Sequence, residues 1–317
     1  MSLREAIGVD LGGTKLLTGV VDEEQHVLHE RRASSTGRSE DEVLAAIEQE
    51  LREARAARPN VVGAGLGVPT TIDRERGVAI NAVNLEITDV PIRDLMRERM
   101  GMPVFIDNDA NVAMLAEHRF GAAKGADNAL LLTIGTGIGG GVIINRGLYR
   151  GSTGSAGELG HIVVDENGPP CQGTCPNFGC VETMASGTAL AREGTAAAGR
   201  HPESELGHAL VQADGGVTGK VVTEAALAGD EVAREVVATA GRHLGVALAS
   251  LANIFDPDVI VIGGGVAGGA GNLLVDPATE ELRRRALPPM NKTPVRLAEL
   301  GGDAGMIGAA QMVLEEL

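Results

Sequence analysis

Residues 7–21 read IGVDLGGTKLLTGVV, and residues 132–144 read LTIGTGIGGGVII. Each is an apolar run, a turn of glycines and threonine, and a second apolar run. They predict two hairpins of one design and a weak internal duplication. Two α/β domains follow, each opening with a hairpin whose turn faces a shared cleft.

Working outward, strands are expected at 6–11, 16–21 and from Val27 onward. Ser39 and Glu42 form an S-x-x-E capping box, so a helix starts there. Val43, Leu44, Ile47 and Leu51 are its buried stripe, and Pro59 stops it. Further strands are expected at 61–67 and 103–106, followed by a helix at 110–120. The second hairpin pairs 129–134 with 141–145. Residues 231–255 predict a long buried helix whose Gly241, Gly245, Ala247 and Ala249 allow close packing. A strand at 259–262 and a last helix at 303–317, returning to the first domain, complete the pattern. Residues 199–219, with Pro202 and Gly215-Gly216, read as an irregular surface loop.

The chain has 317 residues, 44% of them hydrophobic, with one Tyr, four Phe and no Trp. The core must therefore be aliphatic. The net charge of −16 repels phosphate backbones, so nucleic acid and anionic membranes are poor partners. Neither a signal-peptide run nor an 18-residue apolar stretch is present, so a cytoplasmic protein is expected. Cys171, Cys175 and Cys180 fall within ten residues. A secreted disulfide framework would spread an even number along the chain, so the cluster reads as a local site.

Five motifs carry chemistry. In Asp10-Leu-Gly-Gly-Thr14-Lys15, glycine N–H groups, the Thr14 hydroxyl and Lys15 suit an anion, and Asp10 suits hydrated Mg²⁺. An ordinary tight hairpin with a surface lysine explains that motif alone slightly better. The five glycines of 135–141 exceed what turning requires, because each costs about 0.5–1 kcal/mol relative to Ala inside an element. Paired with the first motif, they favour phosphate binding. Gly263 to Gly268 matches G-x-G-x-x-G, but the acid expected about 20 residues on falls on Glu280 and Glu281, in a helical stretch. That weakens a nicotinamide-dependent dehydrogenase. Asn108-Asp109-Ala110-Asn111 ends a strand, where capping and general-base catalysis are equally good readings. Glu158-Leu-Gly-His161 with the three cysteines fits a closed Cys₃His zinc site.

These motifs in this order resemble the ROK family of sugar kinases, within the actin-like ATPase (ribonuclease H-like) superfamily. The resemblance runs from Asp10 to the C-terminal helix, and the bacterial glucokinase branch is the most similar. It implies an α/β fold of two α/β domains around a central cleft. The small one spans 1–120, completed by 303–317; the large one spans 121–302. It implies ATP with Mg²⁺ and transfer of the γ-phosphate to a hexose 6-hydroxyl. Asp109 resembles the catalytic base. Asn84, Asn108, Glu158, His161 and Glu182 resemble sugar ligands. Asp10, Gly12, Gly13, Thr14, Lys15, Thr136 and Gly137 resemble the phosphate and Mg²⁺ region, and Gly264 and Gly265 the glycines beside adenosine. His161, Cys171, Cys175 and Cys180 resemble ligands of a structural Zn²⁺, and a dimer or tetramer is implied.

Two departures stand out. The family's usual C-x-C-G-x-x-G-C becomes Cys171-QGT-Cys175 here, with Pro176 in place of a glycine, although the Cys175–Cys180 spacing and Gly179 are kept. Ile87 stands near the place of a frequent Trp. N-acetylhexosamine and fructose kinases share the motifs, and polyphosphate in place of ATP stays open. ROK repressors carry an N-terminal winged helix, whereas only nine residues precede Asp10, which sets that class aside.

Overall fold

A computed structural model describes residues 3–13, 15–34, 39–82, 87–212 and 216–317. The first half runs β1 (Glu5–Leu11), β2 (Lys15–Asp22), β3 (Val27–Ser34), α1 (Glu40–Ala57), β4 (Ala64–Val68), a meander of β5 (Ile72–Asp73), β6 (Val78–Ala82) and β7 (Ile87–Val90), then α2 (Ile92–Met100), β8 (Val104–Asn108) and α3 (Asp109–Arg119). The second half runs β9 (Ala129–Ile134), β10 (Ile138–Ile144), β11 (Gly147–Leu148), α4 (Val181–Ala185), α5 (Gly187–Arg200), α6 (Glu205–Gln212), α7 (Gly219–Ala228), α8 (Glu231–Phe255), β12 (Val259–Gly263), α9 (Gly264–Ala270), α10 (Asn272–Arg285) and β13 (Val295–Leu297). A closing helix, α11 (Ala304–Glu316), ends the chain.

The duplication is topological. One sheet is ordered β3-β2-β1-β4-β8 and the other β11-β10-β9-β12-β13. In both, the hairpin strands pair antiparallel and the last three strands run parallel. Period-two alternation assigns each strand's faces. In β9, Leu130, Leu132 and Ile134 join the core under α8 and α10, while Ala129 and Leu131 face the layer between the sheets. In β1, Ile7, Val9 and Leu11 face the core under α1, leaving Ala6, Gly8 and Asp10 toward that middle layer.

Two helices fill the middle layer, each packed closely on a sheet. Helix α11 crosses β1 and β4, where a Cβ on Gly8 would overlap the Met306 carbonyl and one on Gly65 the Ala309 carbonyl. Helix α3 lies against β10, where a Cβ on Gly141 would overlap Met114. The last helix thus returns to the first sheet, as the sequence predicts.

The capping box forms: the Ser39 N–H donates to Glu42 Oε2 at 2.8 Å, and α1 buries Val43, Leu44, Ile47 and Leu51. The predicted glycines of α8 also act in packing, since a Cβ on Gly241 or Gly245 would press on α10 backbone.

Three expectations change. Strand β10 begins at Ile138 rather than 141, so Gly139, Gly140 and Gly141 belong to the ladder and only 135–137 turn. Strand β4 begins at Ala64, three residues later than expected, although the Val62 N–H still donates to Glu5 C=O. Residues 205–212 are helical rather than loop, because Leu206 is buried in the second core and its N–H donates to the Asp230 carboxylate at 3.0 Å.

Candidate functional site

Asp10 lies one residue before the end of β1, on the middle-layer face. The first turn of α11 leaves it space: a Cβ on Gly305 would lie 2.6 Å from the carboxyl carbon. Burial first, then neighbouring Asp109, push the Asp10 carboxyl up to about 6, with Lys15 pulling the other way. The hairpin turn is closed by the Gly12 N–H, which donates to Lys15 C=O at 2.8 Å, so that amide serves the turn. Lys15 itself is exposed. Thr14 and Asn84, two of the candidates, lie outside the described residues.

Capping and chemistry divide between neighbours at the end of β8. Asn108 caps α3: its Oδ1 accepts from Ala110 N at 2.9 Å and Asn111 N at 3.2 Å. Its Nδ2 donates to Thr70 C=O at 3.2 Å, leaving one N–H for a ligand. Asp109 is the first helical residue. Burial raises its pKa, nearby Glu158 adds to the rise, and the Ala110 amide and Asn108 oppose it. A helix N-terminus also favours the ionised form. Beneath lies buried Asp107, whose Oδ1 accepts from Asn108 N and Asn111 Nδ2, while Oδ2 accepts from Arg150 Nε at 2.5 Å. That ion pair fastens the start of the 149–158 loop, which brings Glu158, to the first sheet.

The halves meet in a depression lined by Thr70 and Asn108 from the first and Gly139, Gly140, Gly157 and Glu158 from the second. Ile87, near the family's Trp, is fully buried in the first core and does not line it.

Beside it lie the cysteines. The ligand atoms of His161, Cys171, Cys175 and Cys180 all fall within 4.8 Å of one another. His161 Nδ1 is 3.4 Å from Cys171 Sγ, and Cys175 Sγ is 3.9 Å from Cys180 Sγ. Edges of that length suit a tetrahedron of Zn–S bonds near 2.3 Å. The longer QGT spacing therefore still delivers Cys171. Burial, then Cys180 and Cys175, push the Cys171 thiol up to about 12. Three thiolates do not coexist there without a cation, so the donor set fits Zn²⁺. The other His161 nitrogen, Nε2, points toward Glu158 at 3.8 Å.

Glu182, two residues past Cys180, ties this cluster to the second hairpin. Its Oε2 accepts from Ile138 N at 2.8 Å, and a Cβ on Gly137 would overlap it. On its other side, Gly135 C=O accepts from Gly187 N, and exposed Thr136 accepts through its carbonyl from Thr188 Oγ1 at 2.8 Å. Gly264 has φ +88°, and a Cβ there would press on Ile134 backbone, whereas Gly265 faces open space. The start of α5 thus packs on the 135–137 turn, and the start of α9 on Ile134 just before it.

Neighbour contacts thus link Lys15 and Asp109 to Asp10, Glu158 to Asp109, His161 and the cysteines to Glu158, and Glu182 to the second hairpin. Sequence reasoning missed Asp107 and Arg150, and named Asn111 only as part of the N-D-A-N motif. Asp107 had a signal, an acid directly before the N-D-A-N segment, whereas Arg150 had none.

The ROK family model matches residues 6–316. A glucokinase of Halalkalibacterium halodurans is 38% identical, across all of this chain and 97% of that protein. One from Streptomyces coelicolor is 38% identical, across 98% and 97%. Among solved structures, a ROK family glucokinase from Streptomyces griseus in complex with glucose and AMPPNP superposes with a TM-score of 0.87. It is 38% identical, over 98% of this chain and 99% of that one.

Proposed function

From the premise that the chain belongs to the ROK family, with its actin-like fold, we propose that it is an ATP-dependent hexose kinase acting on glucose. The observation that carries the reading is Asp109, a buried carboxyl of raised proton affinity next to Asn108 and close to Glu158, which line the depression shared by both halves. A base must hold the hydroxyl proton as the oxygen attacks phosphorus, and a raised pKa strengthens that acceptor.

The sugar lies over the depression. Asn108 offers its remaining N–H, and Asn84, Glu158, His161 and Glu182 take further hydroxyls. The 6-hydroxyl then faces Asp109 and attacks the γ-phosphate in line. Asp10, Gly12, Gly13, Thr14, Lys15, Thr136 and Gly137 hold the phosphate end, Gly264 and Gly265 the adenosine. Asp10 is the residue for Mg²⁺, which supplies charge neutralisation on the phosphates.

His161, Cys171, Cys175 and Cys180 hold a structural Zn²⁺, which fixes the His161 tautomer. Because Glu158 and Glu182 flank the same cluster, an ordered cluster positions three sugar contacts together. The division into 1–120 plus 303–317 and 121–302, closure of the cleft on sugar, a cytoplasmic location and a homo-oligomer belong to the same reading. Among the described residues, no helix is long and apolar enough to cross a membrane.

The test is a coupled ADP-release assay over glucose, mannose, fructose, N-acetylglucosamine and N-acetylmannosamine. The highest kcat/KM is expected with glucose. Preference for an acetylated sugar would move the chain to another branch of the family, and no sugar-dependent ADP release would end the kinase reading.

A further inference from the structure

The chain crosses between the two sheets twice, at 120–128 after α3 and at 298–303 before α11. One side chain grips both crossings. Glu117, in the last turn of α3, is 0% exposed. Its Oε2 accepts from Ala122 N at 2.8 Å and from Glu299 N at 3.2 Å, and its Oε1 from Leu300 N at 2.8 Å. Ala122 belongs to the first crossing, Glu299 and Leu300 to the second. Gly121 admits the carboxylate, since a Cβ there would overlap Oε2. A second tie joins the same pieces: Arg296, on β13, donates from Nη1 to Ala122 C=O at 3.1 Å.

This position is costly for an acid. It sits at the negative end of the α3 dipole, and no ion pair reaches it among the described residues. A buried carboxylate without a cation is tolerated only when its oxygens are satisfied by donors. Here all three donors are backbone amides of the two connections, so the charge is tied to the geometry between the halves rather than to either core. Both segments it clamps lead to the cleft. The other end of α3 is Asp109. Beyond Leu300 the chain passes Gly302, where a Cβ would lie 3.8 Å from Lys15 Nζ, and reaches Gly305 against Asp10.

We infer that Glu117 is a positioning residue, the pin of a hinge between the two halves. It sets the angle at which Asp10, Lys15, Asn108 and Asp109 meet Glu158, Glu182 and the 135–137 turn. The inference rests on the hexose-kinase reading. A simpler role, satisfying three turn amides, predicts an effect on stability alone, and the two roles separate experimentally.

Glu117→Gln keeps the shape but turns an amide NH₂ toward N–H donors, which loosens the grip. Per active site, the KM values for glucose and ATP are expected to rise together by about tenfold, as for hinge variants whose reacting groups are misplaced. ATP hydrolysis without sugar, relative to sugar phosphorylation, is expected to rise, because a loose cleft admits water. Small-angle scattering should show a smaller glucose-induced compaction than in the wild type. Glu315→Gln, which removes the surface pair with Arg119 at the same end of α3, is the control and leaves all three readouts unchanged. Wild-type KM values and coupling ratio in Glu117→Gln, with only the melting temperature lowered, overturn the inference. Should that variant not fold, Arg296→Gln, at an exposed position, must shift the coupling ratio in the same direction, and an unchanged ratio overturns the inference equally. A wild-type enzyme without sugar-dependent ADP release would instead overturn the kinase reading, a result distinct from both.

Discussion

The two sheets share strand order, hairpin position and the habit of pressing glycine-bearing strands against a middle helix, yet their hairpins do different work. The first ends in charge: Asp10 and Lys15 stand at its turn, and Asp109 lies close enough to raise the Asp10 pKa. The second hairpin has no charged residue in its turn. Residues 135–137 are held instead by Glu182 beside them and by backbone hydrogen bonds from the start of α5. One sheet topology thus occurs twice, with charge at the hairpin turn of the first copy and the cysteine cluster beside that of the second.

The comparison breaks most readily at Asp109. Asp109→Asn retains hydrogen bonding but takes no proton, and turnover is expected to fall by about 10²–10⁴ while glucose still binds. Retention of more than about a tenth of wild-type turnover would remove the base from the first half. Next comes the cysteine cluster. Cys180→Ser is expected to lose the metal and raise the sugar KM by about 10–100-fold, with little change in the KM for ATP. Elemental analysis should find about one zinc per wild-type chain. A metal-free protein with full sugar affinity would leave the second half's loop without this role.

Smaller effects probe the likeness of the halves. Gly8→Ala pushes into the Met306 carbonyl of α11, and Gly141→Ala into Met114 of α3. Overpacking of this kind costs about 1–3 kcal/mol. Urea unfolding should place Gly8→Ala at or above that range and above Gly141→Ala, because its Cβ overlaps helix backbone more deeply, and equal values would show that α11 shifts more easily than α3. The gentlest test is pH. The Asp10 carboxyl, pushed up to about 6, must be ionised to work, so kcat/KM is expected to fall as pH drops through about 6. Stability runs the other way: a folded pKa above the unfolded value means that the Asp10 contribution worsens as pH rises from about 4 to 6. Asp10→Asn should therefore raise the neutral-pH melting temperature while abolishing turnover.

Local and periodic signals were legible in the sequence because neighbouring residues carry them. The capping box at Ser39, the apolar stripe of α1, the 25-residue helix α8 and both hairpins rest on contacts a few positions apart. The cysteine cluster was legible for the same reason, since its four candidate ligands span twenty residues.

What tertiary structure alone decided is what distant segments do to one another. The glycines of 139–141 looked like a ligand loop, yet Gly139 and Gly141 are small because α3, twenty-five and more residues earlier, lies on them. Ile87 stands near a familiar aromatic position but turns into the first core. Asp107 reaches the second half through Arg150, forty-three residues on, and Glu117 joins Ala122 to two amides more than 180 residues away. The chain fixes which residues exist and how each segment folds. Which carboxylates are buried, paired or set against one another depends on the sheets closing over a common pair of helices, because desolvation and charge proximity are properties of that assembled middle layer.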